Sequence, residues 1–577
     1  MSLPYFTDRV ARDLRGDSPP RGHRREPLAV GRAQSTAILG LVVVLFAVGG
    51  CRTSLKEWAR NEFKVGPNYC PPPAPIAPNW IDAGQPEIEN REAPDFWWTV
   101  FGDPVLDELV AASAEGNFTV KVACARILEA RALRRVAKGN LFPQQHIGKF
   151  DFVHNRVPID DQYIQILGFR FPVGGIPTST DNWQVGLDSA WELDIWGKFR
   201  RNVESANANL DSQFANFNDV LVMLQGEVAA NYIEFRTFEE RVRLAKRNVE
   251  LQESTFKIVE GKHEVGDVTI VDVQQARSDL EVTRALIPAL EIQRRQAKNR
   301  LCILLGVPPG SLDDVLDRAS GIPAAPTEAV VGIPAELLRR RPDVGRAERE
   351  AAAQSAKIGV AEAELYPQFT LRGSVGLSAD NFPELWSADS LALNVGPGVR
   401  WDVLNYGRLR GNIDAEVARF EQAVFRYQDT VLKANEEAEN AIVAFLREQQ
   451  RVKYLQAGVD ATEGAYSASV ARYRVGVLDY QRVLDSQRAL VIRQDELAAS
   501  RGRVAGNLVA LYKALGGGWR AFSADPQLAA TELIPPGAAP VPAGPLPAPL
   551  PPNPPPAPDE PPPPPPLPRP FHRDPPP

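Results

Sequence analysis

Two periods of hydrophobic residues run along this chain, and each occurs twice. Asn182–Asp194 alternates strictly, with Trp183, Val185, Leu187, Trp191 and Leu193 facing one way and Gln184, Asp188, Glu192 and Asp194 the other. Leu391–Val403 does the same, setting Leu391, Leu393, Val395, Val399, Trp401 and Val403 against Asn394, Arg400 and Asp402. A period of two predicts β-strands. Ile147–Val153 and Phe369–Leu377, less cleanly patterned, are their predicted hairpin partners. The second period is helical. Lys198–Glu260 contains no proline and predicts a helix of about 60 residues, roughly 90 Å long. A counterpart runs from Arg408 to about Tyr473. In it Val417, Phe420, Val424, Tyr427, Val431, Ala434, Ala438, Ala441 and Phe445 step by three and four, a heptad seam whose alanines allow close helix approach. Each long helix is predicted to turn at a glycine, Gly266 or Gly476, into a second helix ending at Leu-Gly. Pro288 lies inside the first of these returning helices and predicts a kink near Arg284.

The pattern is an internal duplication. Trp191-Glu-Leu-Asp-Ile-Trp196-Gly197-Lys198 returns 210 positions later as Trp401-Asp-Val-Leu-Asn-Tyr406-Gly407-Arg408. Val265-Gly266 returns as Val475-Gly476, and Leu305-Gly306 as Leu515-Gly516, at the same offset. Leu141-Phe142-Pro143-Gln144 answers Leu365-Tyr366-Pro367-Gln368 at an offset of 224, so the first copy holds 14 extra residues before its Trp. Pro288 has Ala498 as its counterpart, so only one copy is predicted to kink. Alternation over about 10 residues with aromatic ends suits a transmembrane β-strand, although a half-buried strand of a water-soluble sheet has the same period. Four strands cannot enclose a water-filled pore, because a barrel of about eight is already filled by side chains. Open strand edges are not tolerated in lipid. The membrane reading therefore requires a barrel shared between several chains.

Composition changes this picture at the two ends. Of 52 prolines, 24 fall in Pro535–Pro577, including the run Pro561–Pro566, which predicts an extended, unpacked tail. At the other end, Arg21, Arg24, Arg25 and Arg32 precede the apolar run Ala37–Val48 and then Gly49-Gly50-Cys51. These are the parts of a secretory signal. The run is about 12 residues, short of the roughly 20 a membrane-spanning helix needs. Cys51 resembles the acylated first residue of a bacterial lipoprotein, with an ordinary signal and a chance cysteine as the alternative. Arg52, in place of an aspartate, favours the outer membrane.

The remaining cysteines, Cys70, Cys124 and Cys302, have no zinc-site spacing, and His146 and His154 make no metal motif. A net charge of −7 argues against electrostatic nucleic-acid binding. No nucleophile–base motif or phosphate loop is present, so neither an enzyme nor a cofactor is expected.

Further motifs carry a family resemblance. They are Val65-Gly66-Pro67-Asn68-Tyr69, Trp97-Trp98-Thr-Val-Phe101-Gly102-Asp103-Pro104, Leu338-Arg339-Arg340-Arg341-Pro342-Asp343-Val344, Arg472-Tyr473-Arg474-Val475-Gly476 with Val483-Leu484-Asp485-Ser486-Gln487-Arg488, and Ala514-Leu515-Gly516-Gly517-Gly518-Trp519. In this order, over about Val65–Trp519, the chain resembles the TolC-family outer-membrane efflux proteins, in the lipoprotein branch that includes OprM- and NodT-like factors.

The resemblance implies a mainly α fold with a small β part. Each chain of a homotrimer would give four strands to one 12-stranded outer-membrane barrel, and twelve helices would form a tube across the periplasm. It implies a passive exit duct for small molecules, energised by an inner-membrane pump, of RND type in that branch, and engaged by a periplasmic adaptor at the helical tips. Those tips would be the turns around Val265, Gly266 and Asp267 and around Val475, Gly476 and Val477. By motif match, Tyr473 and Asp485 stand where the family has a gating tyrosine and aspartate, and Arg482 replaces a second aspartate. Pairing of Arg482 with Asp485 would relieve repulsion among three copies of Asp485; a solvated helix-surface pair is the plainer alternative.

The expected organisation is a signal over 1–50, a lipidated extended segment over 51–95, repeats over 96–310 and 334–520 joined by a linker over 311–333, and the tail over 521–577. A type I protein-secretion duct shares this architecture, but the lipoprotein start and the OprM-like close favour the exporter. A metal exporter is disfavoured because two methionines supply no soft-ligand relay. A coiled-coil lipoprotein scaffold would explain the heptads and Cys51, but not two amphipathic strand pairs at a fixed offset.

Overall fold

The computed structural model describes residues 54–91, 94–156, 163–166, 169–172 and 179–522. The signal segment, Cys51 and the proline-rich tail lie outside the described residues. The chain divides into two units, Met1–Glu62 and Phe63–Pro577. In the first, α1 (Leu55–Arg60) is capped by Ser54, whose side chain accepts from the Glu57 amide.

The second unit holds the duplication. Its first copy runs α2 (Pro104–Gly116), α3 (Phe118–Gly139), β2 (Gln145–Arg156), β5 (Ser179–Glu192), α4 (Lys198–Glu264) and α5 (Ile270–Leu305). The second runs α8 (Pro342–Ala363), β7 (Gln368–Ala379), β8 (Leu391–Arg400), α9 (Arg408–Arg474) and α10 (Tyr480–Ala514). Between them lie α6 (Asp313–Leu316), β6 (Ala329–Val330) and α7 (Leu337–Arg340), the first two within the 311–333 segment expected to be a linker. β6 pairs in parallel with β1 (Ile88–Glu89), which ties the N-terminal segment to the junction of the repeats. The 14 extra residues of the first copy have a counterpart in a short antiparallel hairpin, β3 (Tyr163–Ile166) with β4 (Phe169–Pro172), set between β2 and β5.

The four main strands form one antiparallel sheet in the order β2-β5-β7-β8. The predicted hairpin pairs are present, β2 with β5 and β7 with β8, and β5–β7 joins the two repeats. At that joint Gly186 faces Gly376, and a Cβ on Gly376 would lie 2.5 Å from the Val185 carbonyl oxygen. The strands end at Glu192 and Arg400, short of the predicted Asp194 and Val403, because the chain turns into the long helices there. The Asp194 carboxylate instead accepts from the amides of Phe199 and Arg200 at the start of α4.

Each long helix has 67 residues, about 100 Å at the helical rise. Both exceed the predicted ends slightly. Tyr427, Val431, Ala434, Ala438, Ala441 and Phe445 of the predicted seam are buried, whereas Val417 and Phe420 are partly buried against Ile358, Ala361 and Ile413. α5 runs helical through Pro288, an exposed position, without the break a proline often makes.

The segment after Phe63 is strapped across the first repeat. Buried Arg201 donates from Nε to the Val65 carbonyl at 3.0 Å and from Nη2 to that of Gly66 at 2.9 Å. Gly66 has φ +82°, and a Cβ there would come within 2.4 Å of the Gly359 Cα. The Val65-Gly66 motif is therefore a docking site for backbone on backbone.

Candidate functional site: a two-faced sheet and two helical tips

Residues opposite one another across a sheet share a face, so the register sorts the strands. Phe150 and Phe152 face Val185 and Trp183, while Leu187 faces Val375, which faces Leu393. These, with Leu371, Leu391, Val395 and Val399, make one continuous apolar face, and its members on β8 are the most exposed. The Trp183 ring packs against its neighbours there, tilted 4.3 Å from Phe152 and edge-on 5.0 Å from Phe382. The opposite face is polar. Lys149 pairs with Asp188 at 2.9 Å, and Ser378 donates to Asn182 at 3.3 Å. This polar face is the concave one, a hollow of about 940 Å³ lined by Asp188, Glu192, Arg372, Asn394 and Arg400 among others. A second hollow of about 920 Å³ lies over α3, α4, α8 and α9, where Arg126, Glu129, Asn209, Arg346, Glu350 and Asp429 line it. Both long edges, β2 and β8, lack a strand partner among the described residues. No described helix is long and apolar enough to cross a membrane.

At the far ends of the long helices the two turns are built alike. Gly266 and Gly476 both have φ +80°, a left-handed geometry that closes the helix and starts the return. The Gly266 amide donates to His263 and that of Asp267 to Lys262; the Gly476 amide donates to Tyr473 and that of Val477 to Arg472. Val265 and Val475 are each 74% exposed, and Val477 is exposed beside them. The return helices start on side-chain caps. Thr269 and Asp272 form a capping box on α5, and the Asp479 carboxylate accepts from the Arg482 amide on α10.

Tyr473 does not share a cluster with Asp485. Its side chain is buried with Val259, Val273, Tyr466, Tyr480 and Leu484 where the four helix ends meet. Its ring lies 5.7 Å from that of Tyr480, and the Lys262 ammonium sits 5.1 Å above it. Lys262 also approaches Asp267 at 3.7 Å. Burial, with Asp272 and Asp267 nearby, pushes the Tyr473 hydroxyl above its ordinary pKa, and that hydroxyl has no hydrogen-bond partner among the described residues.

Asp485 is exposed and accepts from Gln481 Nε2 at 3.0 Å, one helical turn before it. The expected pairing of Arg482 with Asp485 is not formed within the chain, because Gln481 at i−4 takes the carboxylate instead. A stronger tie here is Arg488 of α10 to Asp279 of α5, at 2.8 Å. Neither Lys262 nor Asp279 stood out in the sequence, since each works on a partner about 200 positions away.

A sheet apolar on one face and polar on its concave face, set on helices about 100 Å long, defines a protomer of a TolC-like channel. The chain belongs to the outer membrane efflux protein family, whose model matches residues 109–307 and 333–517. It is 30% identical over 458 residues to Nodulation protein T of Rhizobium leguminosarum bv. trifolii, covering 79% of this chain and 94% of that one. It is 30% identical over 427 residues to the pyoverdine export outer membrane protein OpmQ of Pseudomonas putida, covering 74% of this chain and 89% of that protein. The solved outer-membrane channel OprN superposes with a TM-score of 0.72 at 32% identity, over 79% of this chain and 99% of that one. The protein is thus an outer-membrane exit channel of efflux systems, with its helical part in the periplasm.

Proposed function

We propose that three copies of this chain form one duct for small molecules, with a 12-stranded barrel in the outer membrane and a helical tube below it. The observation that carries this is the sheet, whose convex apolar face suits lipid and whose unpartnered edges cannot stand alone in it. Pairing β8 of one copy with β2 of the next removes every edge. Repeats over 96–310 and 334–520 are the two halves of each third, and Cys51 carries a lipid anchor after removal of 1–50. Val265, Gly266, Asp267, Val475, Gly476 and Val477 receive a periplasmic adaptor, and an inner-membrane pump of the RND type supplies energy. The relative named for pyoverdine export supports a small organic cargo over a secreted protein. Purified protein should run as a trimer that dissociates on heating. A strain lacking it should accumulate a fluorescent efflux substrate; a monomer, or unchanged accumulation, refutes the reading.

The periplasmic end is closed by Tyr473, Arg482 and Asp485. With Asp485 held by Gln481 and Arg482 free of it within the chain, Arg482 is available to carboxylates of a neighbouring copy. Arg482→Ala should raise single-channel conductance in planar bilayers. Unchanged conductance removes Arg482 from the gate.

A further inference from the structure

The two tips share a backbone but not a charge. Position by position at the 210 offset, residues 260–272 pair with 470–482. The first tip holds Glu260, Glu264, Asp267 and Asp272 against one lysine, Lys262, a net charge of −3 with His263 neutral. The second holds Arg472, Arg474 and Arg482 against Asp479, a net charge of +2. Glu260, Glu264 and Asp267 are exposed, as are Arg472, Arg474 and Arg482. Only Asp267 is engaged by a cation, Lys262 at 3.7 Å, and none of the three arginines has an ionic partner among the described residues. Asp485, one turn beyond the second window, is already held by Gln481. Val265 and Val475 are equally exposed at the two apices, so the turns share a backbone shape, and Val477 in place of Asp267 adds one exposed valine to the second tip while removing a charge.

We propose that the tips are two docking sites of opposite sign for one partner, which presents basic side chains to the turn at Val265 and acidic side chains to the turn at Val475. This rests on the docking reading above. Around a three-fold axis the six tips alternate in sign, and that alternation sets the rotational register of whatever docks. A docking end displaced by one tip meets like charge at every site, and like charges brought together across an interface are strongly rejected.

The test uses the full-length protein in its native host. A photo-crosslinking residue in place of Val265 or Val475 is irradiated in living cells, and the attached peptide is sequenced by mass spectrometry. Basic peptides from the first site and acidic ones from the second are expected. Peptides of the same sign at both, or peptides of this chain itself from tip-to-tip association, overturn the proposal. In parallel, E260K/E264K and R472E/R474E should each lower the inhibitory concentration of an exported drug by about fourfold or more while leaving the trimer intact on gels. If both export normally while Val265→Asp with Val475→Asp abolishes export, docking at the tips stands and the charge proposal falls. If that double variant also exports normally, the docking reading itself fails.

Discussion

The two long helices have the same length, start on a left-handed glycine and end on the same valine–glycine turn, yet their middles are filled by different chemistry. In α4 the side chains of Tyr232 and Arg236 are fully buried; 210 positions on, α9 buries Ile442 and Leu446. The Arg236 guanidinium donates to Tyr232 at 3.1 Å, to Glu239 at 2.8 Å and to the Leu316 carbonyl at 2.6 Å, and Tyr232 donates to Asp103 at 2.7 Å. Asp103 in turn caps α2. This network fastens α4 to α2 and to the end of α6, segments that lie outside the duplicated strand and long-helix pairs. α9 solves the same position with hydrocarbon alone. The duplicated backbone thus tolerates either solution, and the choice follows from which extra segments each copy must hold.

The largest break in that comparison comes from moving the charge without its partners. Leu446→Arg would bury a guanidinium with no carboxylate or carbonyl arranged to meet it, a cost of several kcal/mol. The protein should fail to accumulate in outer-membrane fractions. The reverse exchange, Arg236→Leu, keeps the volume but strands the Leu316 carbonyl and the Tyr232–Asp103 pair. Losing one member of a buried ionic network costs about 3 kcal/mol, read as an earlier thermal transition of the purified protein. Adding Tyr232→Ile should cost less than the sum of the two single changes, because the hydroxyl is then no longer left half-satisfied. Strict additivity would mean that the network is not a unit.

A smaller effect separates strap from turn. Gly66 and Gly476 share almost the same left-handed φ, but only Gly66 lies against backbone. Gly476→Ala should cost roughly 1 kcal/mol of conformational strain. Gly66→Ala adds a clash with Gly359 and should cost about 2 kcal/mol or more, with faster protease cleavage between Phe63 and Asp95. Equal effects at the two glycines would show that the strap contributes nothing at this point.

What was legible in the sequence was what repeats or is local. The helix starts at Lys198 and Arg408, the turns at Gly266 and Gly476, and the two hairpins, the Ile147 strand with the Trp183 strand and the Phe369 strand with the Leu391 strand, all follow from period, glycine placement and the common offset. The illegible parts are contacts across long separations. Nothing local marks Arg236 as buried, or Arg201 as the holder of Val65 and Gly66, because an arginine on a helix is ordinarily solvated. The β1–β6 pair is only two residues long and has no period. Near Asp485 the contest is local, since both Arg482 at three residues and Gln481 at four are spaced to meet the carboxylate, and it is Gln481 that binds it.

The smallest expected effect falls on the position where the tips differ most. His263 and Tyr473 are counterparts; His263 Nδ1 lies 3.0 Å from the Val268 carbonyl oxygen, while the Tyr473 hydroxyl is buried with no partner among the described residues. A buried hydroxyl without a partner costs on the order of 1 kcal/mol or more. Tyr473→Phe should therefore leave the isolated fold equally stable or slightly more so. Conductance decides what the hydroxyl is for. If it finds its acceptor in a neighbouring subunit at the closed end, its loss raises conductance in planar bilayers although thermal stability is unchanged or higher. If conductance is also unchanged, the ring alone matters, as the apolar floor under Lys262, and the gating proposed for this end rests on the charged groups around Asp485.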